Sequence, residues 1–267
     1  MSIASKLSAG LFAAAWVCSL AAAEVISIKE PADFTVPKRL SKEGESLALK
    51  GNAILFSART LVLDPAKKYK ISGDFRLKEG EISGRVFLGY APYDAQGKPI
   101  SPAAVNATSK SDTEIARAAK KGDKVIFVKD ASKWNMKTPY GYIVFNTKED
   151  YSDLPNRDLI GIPKDGIKQS GDVWEITLKT PLTNDRAAGV KVRQHLGAGT
   201  FIYNSGSVQV RQGWVTRTGI LSGVAKSGSP TNKLWAGTAS VRVLVMVLGG
   251  KTTDVLEMKN IKVEEVK

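Results

Sequence analysis

Side chains that could serve as nucleophiles or general bases are scarce in this chain. Its single histidine is His195 and its single cysteine is Cys18. A Ser-His-Asp triad would have to use His195, which lies in a strand-like basic segment of a sequence that has no Gly-x-Ser-x-Gly elbow. One thiol cannot form an intrachain disulfide or a thiolate zinc site. We interpret His195 as structural and predict no catalytic residue, no cofactor and no metal ligand.

Aromatic side chains offer a different chemistry, the stacking of sugars. A pyranose ring presents a C–H face that packs on an aromatic plane, while its hydroxyl groups need polar partners. Trp134 opens a polar loop that contains further aromatic residues, and ordinary packing of this loop is the alternative. We predict six glycan-binding side chains: Trp134, Lys137, Tyr140 and Tyr142 in this loop, and Tyr90 and Tyr93 at the end of an earlier strand.

Carboxylate pairs for an enzyme cannot be picked out from the sequence. Glycoside hydrolysis and polysaccharide elimination need only two or three acidic, Tyr, Arg or Lys groups, which no motif reveals. The densest acidic segment, 150–158, lacks the spacing of an EF-hand loop and favours a turn. A secreted carbohydrate-active enzyme, either a glycoside hydrolase or a polysaccharide lyase, is therefore the alternative to a binding protein.

The charge balance points to an anionic partner. The chain has 39 Lys and Arg against 26 Asp and Glu, a formal charge of +13. No basic helix, basic stripe or interleaved RNP-type aromatics are present, so we expect no nucleic-acid partner. A basic exported protein is expected to bind an acidic polysaccharide, an anionic lipid or an acidic protein surface. An evenly solvated basic surface is the alternative.

The N-terminal 23 residues have the organisation of an export signal. Lys6 precedes an apolar run over 11–20, and the small residues 21–23 follow. This run is shorter than the roughly 20 residues that span a bilayer. We expect cleavage after Ala23 and a periplasmic, cell-surface or extracellular location. Removal of Lys6 lowers the formal charge of +13 by one and leaves +12.

The remainder of the chain has the pattern of an all-β protein. Residues 69–78 alternate between apolar and charged side chains, which is typical of a half-buried strand. In 173–178 the apolar residues share one face, which predicts that Trp174 lies in the core. Residues 241–248 are apolar on both faces apart from Arg242, as in a central strand.

The last segment predicts a β-bulge. Leu256 and Met258 share one phase of a period-two pattern, whereas Ile261 and Val263 have the opposite phase. One extra residue at Lys259-Asn260 would return both pairs to the core.

Two stretches resemble known β-modules. Residues 69–97, with Gly73-Asp74-Phe75-Arg76, and the segments 241–248 and 256–266 resemble the jelly-roll carbohydrate-binding modules of secreted bacterial polysaccharide-degrading proteins. Between them, 122–134 resembles a small β-module of phage tail fibres and bacterial surface proteins. In that module a Gly-Asp turn starts a strand that ends in Asp-Ala-Ser-x-Trp.

The resemblance implies a jelly-roll-type β-sandwich with an inserted smaller β-module. It divides the chain into a signal peptide (1–23), a discontinuous sandwich (24–106 and 207–267) and the inserted module (107–206). It also implies that 111–121 is extended, although the local sequence there favours a helix. Many such jelly rolls hold a calcium ion. Lys259 occupies a position where an aspartate is common, so no calcium is expected here.

These observations lead to one expected function. We expect a secreted, non-catalytic glycan-binding or cell-surface β-sandwich protein, with acidic polysaccharide as its ligand. The expected partners include a cell-surface or self-assembly partner, and no transmembrane segment is expected.

Overall fold

The computed structural model describes residues 23–80 and 84–267, and in them the protein is almost entirely β. This described part contains 17 strands, one helical turn and two 3-10 turns at Pro31–Asp33 and Pro37–Arg39. None of its helices has both the length and the apolar character needed to cross a bilayer. The predicted signal segment lies outside the described residues except for Ala23.

The elements are numbered in chain order. The first strands are β1 (Ala23–Ile28), β2 (Leu40–Glu43), β3 (Ser46–Lys50), β4 (Ala53–Phe56), β5 (Lys68–Glu79) and β6 (Arg85–Tyr93). The helical turn α1 spans Pro102–Val105. The next strands are β7 (Thr113–Glu114), β8 (Val125–Val128), β9 (Gly141–Phe145), β10 (Leu159–Gly161), β11 (Ile167–Ser170), β12 (Val173–Thr177) and β13 (Lys191–Leu196). The last strands are β14 (Ser207–Gln209), β15 (Val215–Ser222), β16 (Ser240–Leu248) and β17 (Val255–Val266).

Among the described residues these strands form four antiparallel sheets. The large sheet has the order β15-β5-β17-β3-β2, with β1 also paired to β17. The β16 sheet has the order β14-β6-β16-β4. The β13 sheet has the order β10-β9-β13-β7, and the β12 sheet has the order β11-β12-β8. Because side chains alternate along each strand, each sheet can bury one face and expose the other.

The large sheet and the β16 sheet pack face to face as a β-sandwich. Ile71, Phe75 and Met258 of the large sheet share one buried cluster with Leu88 and Val243 of the β16 sheet. The alternate residues of these strands point away from the cluster, so the sandwich has two outer faces on opposite sides. The predicted all-β sandwich is confirmed, and its jelly-roll connectivity stays a prediction.

A second hydrophobic cluster lies between the β13 sheet and the β12 sheet. It includes Ile143 and Val192 from the first sheet and Ile126 and Ile176 from the second. Its buried members all fall within 115–192, whereas those of the sandwich cluster come from both sides of this range. The division of the chain at 106 and 207 stays a prediction.

Trp174 lies at the margin of this second cluster and not inside it. Ile176 and Leu178 are buried, as the alternation predicts, but Trp174 is half-buried and packs against the cluster from outside. The predicted core position of Trp174 is therefore wrong. Period two identifies the face of a strand but not the distance of each residue from the centre of the core.

The bulge predicted near the C-terminus is confirmed. The pairing of β17 with β5 shifts between Lys259 and Lys262, and Asn260 has a φ of 54°. Leu256, Met258, Ile261 and Val263 are all buried in the sandwich cluster. The extra residue thus brings both phases of the pattern to one face.

The segment 111–121 forms no helix. It contains β7 and isolated β-bridges at Ile115 and Ala119, and this pairing with distant residues overrides its helix-favouring sequence. The amide of Ile115 donates to the carbonyl of Val190 at 2.9 Å. Ala119 and Arg186 exchange two backbone hydrogen bonds, at 2.9 and 2.8 Å. Tertiary pairing outweighs a helix propensity of a few tenths of a kcal/mol per residue.

His195 joins the β13 sheet to α1. Its Nδ1 donates to the carbonyl oxygen of Ala103 at 2.8 Å, and its Nε2 accepts a hydrogen bond from Nε of Arg193 at 3.0 Å. Burial lowers the pKa of His195 to about 4. Arg193 is also fully buried and forms an ion pair with Asp153 at 2.5 Å.

Candidate functional site

The aromatic loop predicted to bind sugar does not offer its tryptophan to solvent. Trp134 is only 4% exposed and belongs to the second hydrophobic cluster. Its indole Nε1 donates to the carbonyl oxygen of Ser111 at 2.8 Å. The prediction that Trp134 stacks on a ligand is corrected, because the surrounding core covers both the ring and its polar atom.

The other members of this loop remain accessible. Tyr140 is 56% exposed, Lys137 is exposed and Tyr142 is half-buried. The Tyr142 ring lies so close to Gly197 that a Cβ there would be 2.5 Å from Cε2. Without Trp134 the loop presents one well-exposed ring, that of Tyr140.

The two tyrosines predicted at the end of β6 have different environments. Tyr90 is fully buried in the sandwich cluster, and burial raises the pKa of its hydroxyl. Its predicted role as a sugar contact is wrong, since it faces the core. Tyr93 is half-buried, with the guanidinium carbon of Arg242 5.9 Å from its ring centroid.

A polar groove of about 690 Å³ opens beside β7. Glu114 accepts hydrogen bonds from Lys129 and Lys191, each at 2.6 Å, and these bonds lower the pKa of Glu114 to about 2. A carboxylate held in this way stays ionised at neutral pH and cannot protonate a leaving group. The groove has no aromatic residue among its described lining. Within 23–80 and 84–267, no cluster of three or more His, Cys, Asp or Glu side chains could hold a metal ion.

Trp214 is the most exposed tryptophan of the described residues, at 36%. It immediately precedes β15, whose register with β5 sets Val215 opposite Phe75 and Thr216 opposite Asp74. Because Phe75 points into the core, Trp214 and Thr216 lie on the outer face of the large sheet.

Two cationic side chains lie against the indole of Trp214. The guanidinium carbon of Arg76 is 4.7 Å from its ring centroid, and Nζ of Lys259 is 4.6 Å away. Arg76 also donates from Nε to the buried carboxylate of Glu257 at 2.5 Å. Lys259 has no carboxylate partner within 4 Å among the described residues. Cation–π contacts of this kind contribute about 0.5–1 kcal/mol at exposed sites.

Hydrogen-bonding groups continue along the same outer face. The carboxylate of Asp74 accepts from Oγ1 of Thr216 at 2.6 Å and from Nδ2 of Asn260 at 2.7 Å. A shallow groove of about 500 Å³ runs beside Asp74. We name this region the Trp214 face, and its members are Trp214, Thr216, Thr218, Lys70, Ser72, Asp74, Arg76, Lys259, Asn260 and Lys262.

The sequence interpretation missed the Trp214 face because its parts are far apart in the chain. Trp214, Arg76 and Lys259 meet only through the strand order β15-β5-β17. One local signal was present in the sequence. Trp214, Thr216 and Thr218 are two residues apart, so their side chains point to the same side of a strand, and two polar threonines predict that this side faces solvent.

Comparisons with family models, with curated proteins and with solved structures found no match. The function is therefore argued from the chemistry of this chain alone.

Proposed function

We propose that the protein is an exported, non-catalytic glycan-binding β-sandwich protein that acts at the cell surface, and that the Trp214 face is its binding surface. The observation that carries this proposal is the indole of Trp214, which is exposed, flanked by Arg76 and Lys259, and followed by hydrogen-bonding side chains along one groove.

Each part of this surface suits a part of a sugar chain. The indole supplies a flat apolar area for the C–H face of a pyranose. The hydroxyl groups of Thr216 and Thr218 and the amide of Asn260, all three exposed, can exchange hydrogen bonds with sugar hydroxyls. These groups stand on paired strands, which hold them in a fixed arrangement.

The charges favour an acidic polysaccharide. Three lysines (Lys29, Lys70 and Lys262) and two carboxylates (Glu24 and Asp74) line the groove, and Lys259 lies against the indole. Neither Lys70 nor Lys259 has a carboxylate partner within 4 Å in the described part of the chain. The carboxylate of a uronate or the sulfate of a sulfated chain would find an ammonium group there. The net charge, which is +12 once the signal segment with Lys6 is removed, adds a long-range attraction for polyanions.

The loop of Tyr140 and Lys137 is the competing surface. It has an exposed ring and an exposed cation, but its tryptophan is in the core. The Trp214 face combines a larger ring with more hydrogen-bonding partners, and we therefore favour it.

Calorimetric titration with polygalacturonate, alginate and a neutral β-glucan tests the proposal. We expect binding to the acidic chains, weakened about tenfold by Trp214→Ala and unchanged by Tyr140→Ala, the matched control. The opposite ranking of the two variants would move the site to the loop. A protein that binds none of the three glycans would contradict the proposal.

The same incubations test the enzyme alternative. Released reducing ends would indicate a glycoside hydrolase, and unsaturated products would indicate a polysaccharide lyase. Either product would overturn the non-catalytic part of the proposal.

A further inference from the structure

The outer face of the β16 sheet is apolar, although it points away from the sandwich cluster. Leu55, Leu88 and Val243 face that cluster, so their strand neighbours point outward. We name this outward region the aromatic face, and its members are Ile54, Phe56, Phe87, Leu244, Met246, Leu248, Phe201 and Tyr203. Ile54 and Leu248 are each 44% exposed, the four rings are half-buried, and Leu244 and Met246 are buried.

The four rings form one connected group. The centroids of Phe56 and Phe201 are 5.5 Å apart, those of Phe201 and Tyr203 6.1 Å, and those of Phe87 and Tyr203 5.0 Å. These separations lie in the range of favourable aromatic pairs. The four rings therefore pack against one another as one surface.

A β-bridge to β6 positions the two loop rings. Ile202 bridges Tyr90 and buries its side chain in the sandwich cluster, so Phe201 and Tyr203 on either side of it lie outward. Gly89 makes this approach of the two backbones feasible. A Cβ at Gly89 would lie 2.0 Å from the carbonyl oxygen of Ile202.

The charges of this face are all positive. The strands β4, β6, β14 and β16 contain no Asp or Glu, and their only charged residues are Arg85 and Arg242. Nη1 of Arg85 lies 3.3 Å from Oγ of Ser207, and Nη1 of Arg242 lies 3.4 Å from the carbonyl oxygen of Ser57. Neither guanidinium has a described carboxylate within 4 Å. The face is thus apolar in the middle and cationic at its two ends.

We infer that the aromatic face docks on the surface of an anionic lipid bilayer. Aromatic and aliphatic side chains enter the boundary between headgroups and acyl chains, and the arginines at the two ends bind lipid phosphates. Guanidinium groups form paired hydrogen bonds with phosphate oxygens while their methylene stems lie along apolar surface. The charge of this face is complementary to such a membrane.

Two other occupants fit less well. A second copy packed face to face would place two positively charged surfaces against each other, on chains of +12 each without Lys6, and these strands contain no carboxylate to offset the repulsion. A sugar chain would find few partners for its hydroxyl groups. Apart from their tyrosines, these strands contain three neutral side chains that can form hydrogen bonds: Ser207, Gln209 and Ser240.

Docking through this face goes beyond glycan binding and does not depend on it. The aromatic face and the Trp214 face are the opposite outer faces of one sandwich. A protein seated on a membrane through the first would present the second to the space outside, where it could hold a polysaccharide near the membrane.

Vesicle co-sedimentation tests this inference on residues 23–267, which include every described strand. We expect binding to vesicles of equal phosphatidylglycerol and phosphatidylcholine at low salt, and little binding to phosphatidylcholine alone. Ile54→Glu should weaken binding about tenfold or more, and the double variant Arg85→Ala with Arg242→Ala about thirtyfold. Ile220→Glu is the matched control, because Ile220 is 46% exposed on the large sheet.

Several results would overturn the inference. These are equal binding to both vesicle types, no binding to either, and equal weakening by Ile54→Glu and Ile220→Glu. Sedimentation velocity adds a further readout. If the protein does not bind vesicles but forms a dimer that Ile54→Glu dissociates, the aromatic face is an interface with a second copy of the chain. If the far-ultraviolet circular dichroism spectrum of Ile54→Glu differs from that of the folded protein, Leu248→Glu is the independent variant for the same test.

Discussion

On the large sheet, outward residues pair with one another, as in the Arg76–Glu257 and Lys262–Glu264 ion pairs. On the β16 sheet, outward residues such as Ile54 and Phe56 are apolar, and the sheet contains no acid. Both sheets cover the same buried cluster. The comparison shows that one alternating pattern can produce two outer faces with opposite chemistry.

The difference between the faces bears on where ligands bind. Several charged groups on the large sheet form ion pairs with one another, whereas the indole of Trp214 and the ammonium groups of Lys70 and Lys259 remain available to a ligand. On the aromatic face, Ile54 and Leu248 are exposed and four rings are half-buried. Contiguous exposed apolar surface on a protein commonly marks a site of contact with a partner or a membrane.

The largest expected effect is the difference in free energy of unfolding between replacing a buried tryptophan and replacing an exposed one. Trp134→Ala should lower the free energy of unfolding by about 3–5 kcal/mol, because it leaves a cavity in the second cluster. Trp214→Ala should lower it by less than about 1 kcal/mol. Chemical denaturation measures both. Equal losses would show that Trp214 is part of a core and not a surface for ligands.

A second prediction concerns pH. His195 has a pKa of about 4 in the folded protein, against about 6.5 when unfolded, so the unfolded chain binds more protons between these values. Stability is therefore complete above about pH 6.5 and falls toward pH 4, by up to roughly 3 kcal/mol. His195→Gln keeps a donor and an acceptor but cannot titrate in this range. An unchanged pH slope in that variant would contradict the prediction.

A third prediction tests whether two ion pairs of the large sheet contribute equally to the free energy of unfolding. Arg76→Ala leaves the buried carboxylate of Glu257 without its partner and should cost about 1–3 kcal/mol. Lys78→Ala removes a pair with Glu43 that is partly exposed on both sides, and should cost less than about 1 kcal/mol. Thermal or chemical unfolding of the two variants measures the difference. A larger loss for Lys78→Ala would refute this ranking.

The smallest expected effect is the electrostatic part of glycan binding. Lys259→Ala should weaken the binding of polygalacturonate about three- to fivefold at low salt, and less at high salt, because exposed charges are screened within about 8–10 Å at physiological ionic strength. Lys137→Ala, in the loop of Tyr140, is the control and should have no effect. Titrations at two salt concentrations distinguish these outcomes.

The sequence predicted what depends on neighbouring residues. The phase change between Met258 and Ile261 was enough to predict the bulge, and the alternation in β12 correctly assigned Ile176 to the core. The bulge and the alternation depend on side-chain order along one strand. The extended form of 111–121, in contrast, was predicted from a resemblance and against local propensity.

The candidate site could not be predicted in the same way. Trp134, expected in an open loop, lies in the second cluster, and Trp174, expected in the core, is half-buried at its margin. Neither loop composition nor strand alternation tells how deeply a side chain is packed. Trp214 gained its cationic neighbours from β5 and β17, which lie more than 40 residues away on either side. These contacts depend on strand order and register, which no short segment of the sequence contains.

The central claim is that the two outer faces bind different partners, and one crossed measurement tests it most directly. Trp214→Ala and Ile54→Glu are each assayed with polygalacturonate and with vesicles that contain phosphatidylglycerol. We predict that Trp214→Ala loses polysaccharide binding and keeps vesicle binding, and that Ile54→Glu does the reverse. A variant that loses both, or a wild-type protein that binds neither, would contradict the account.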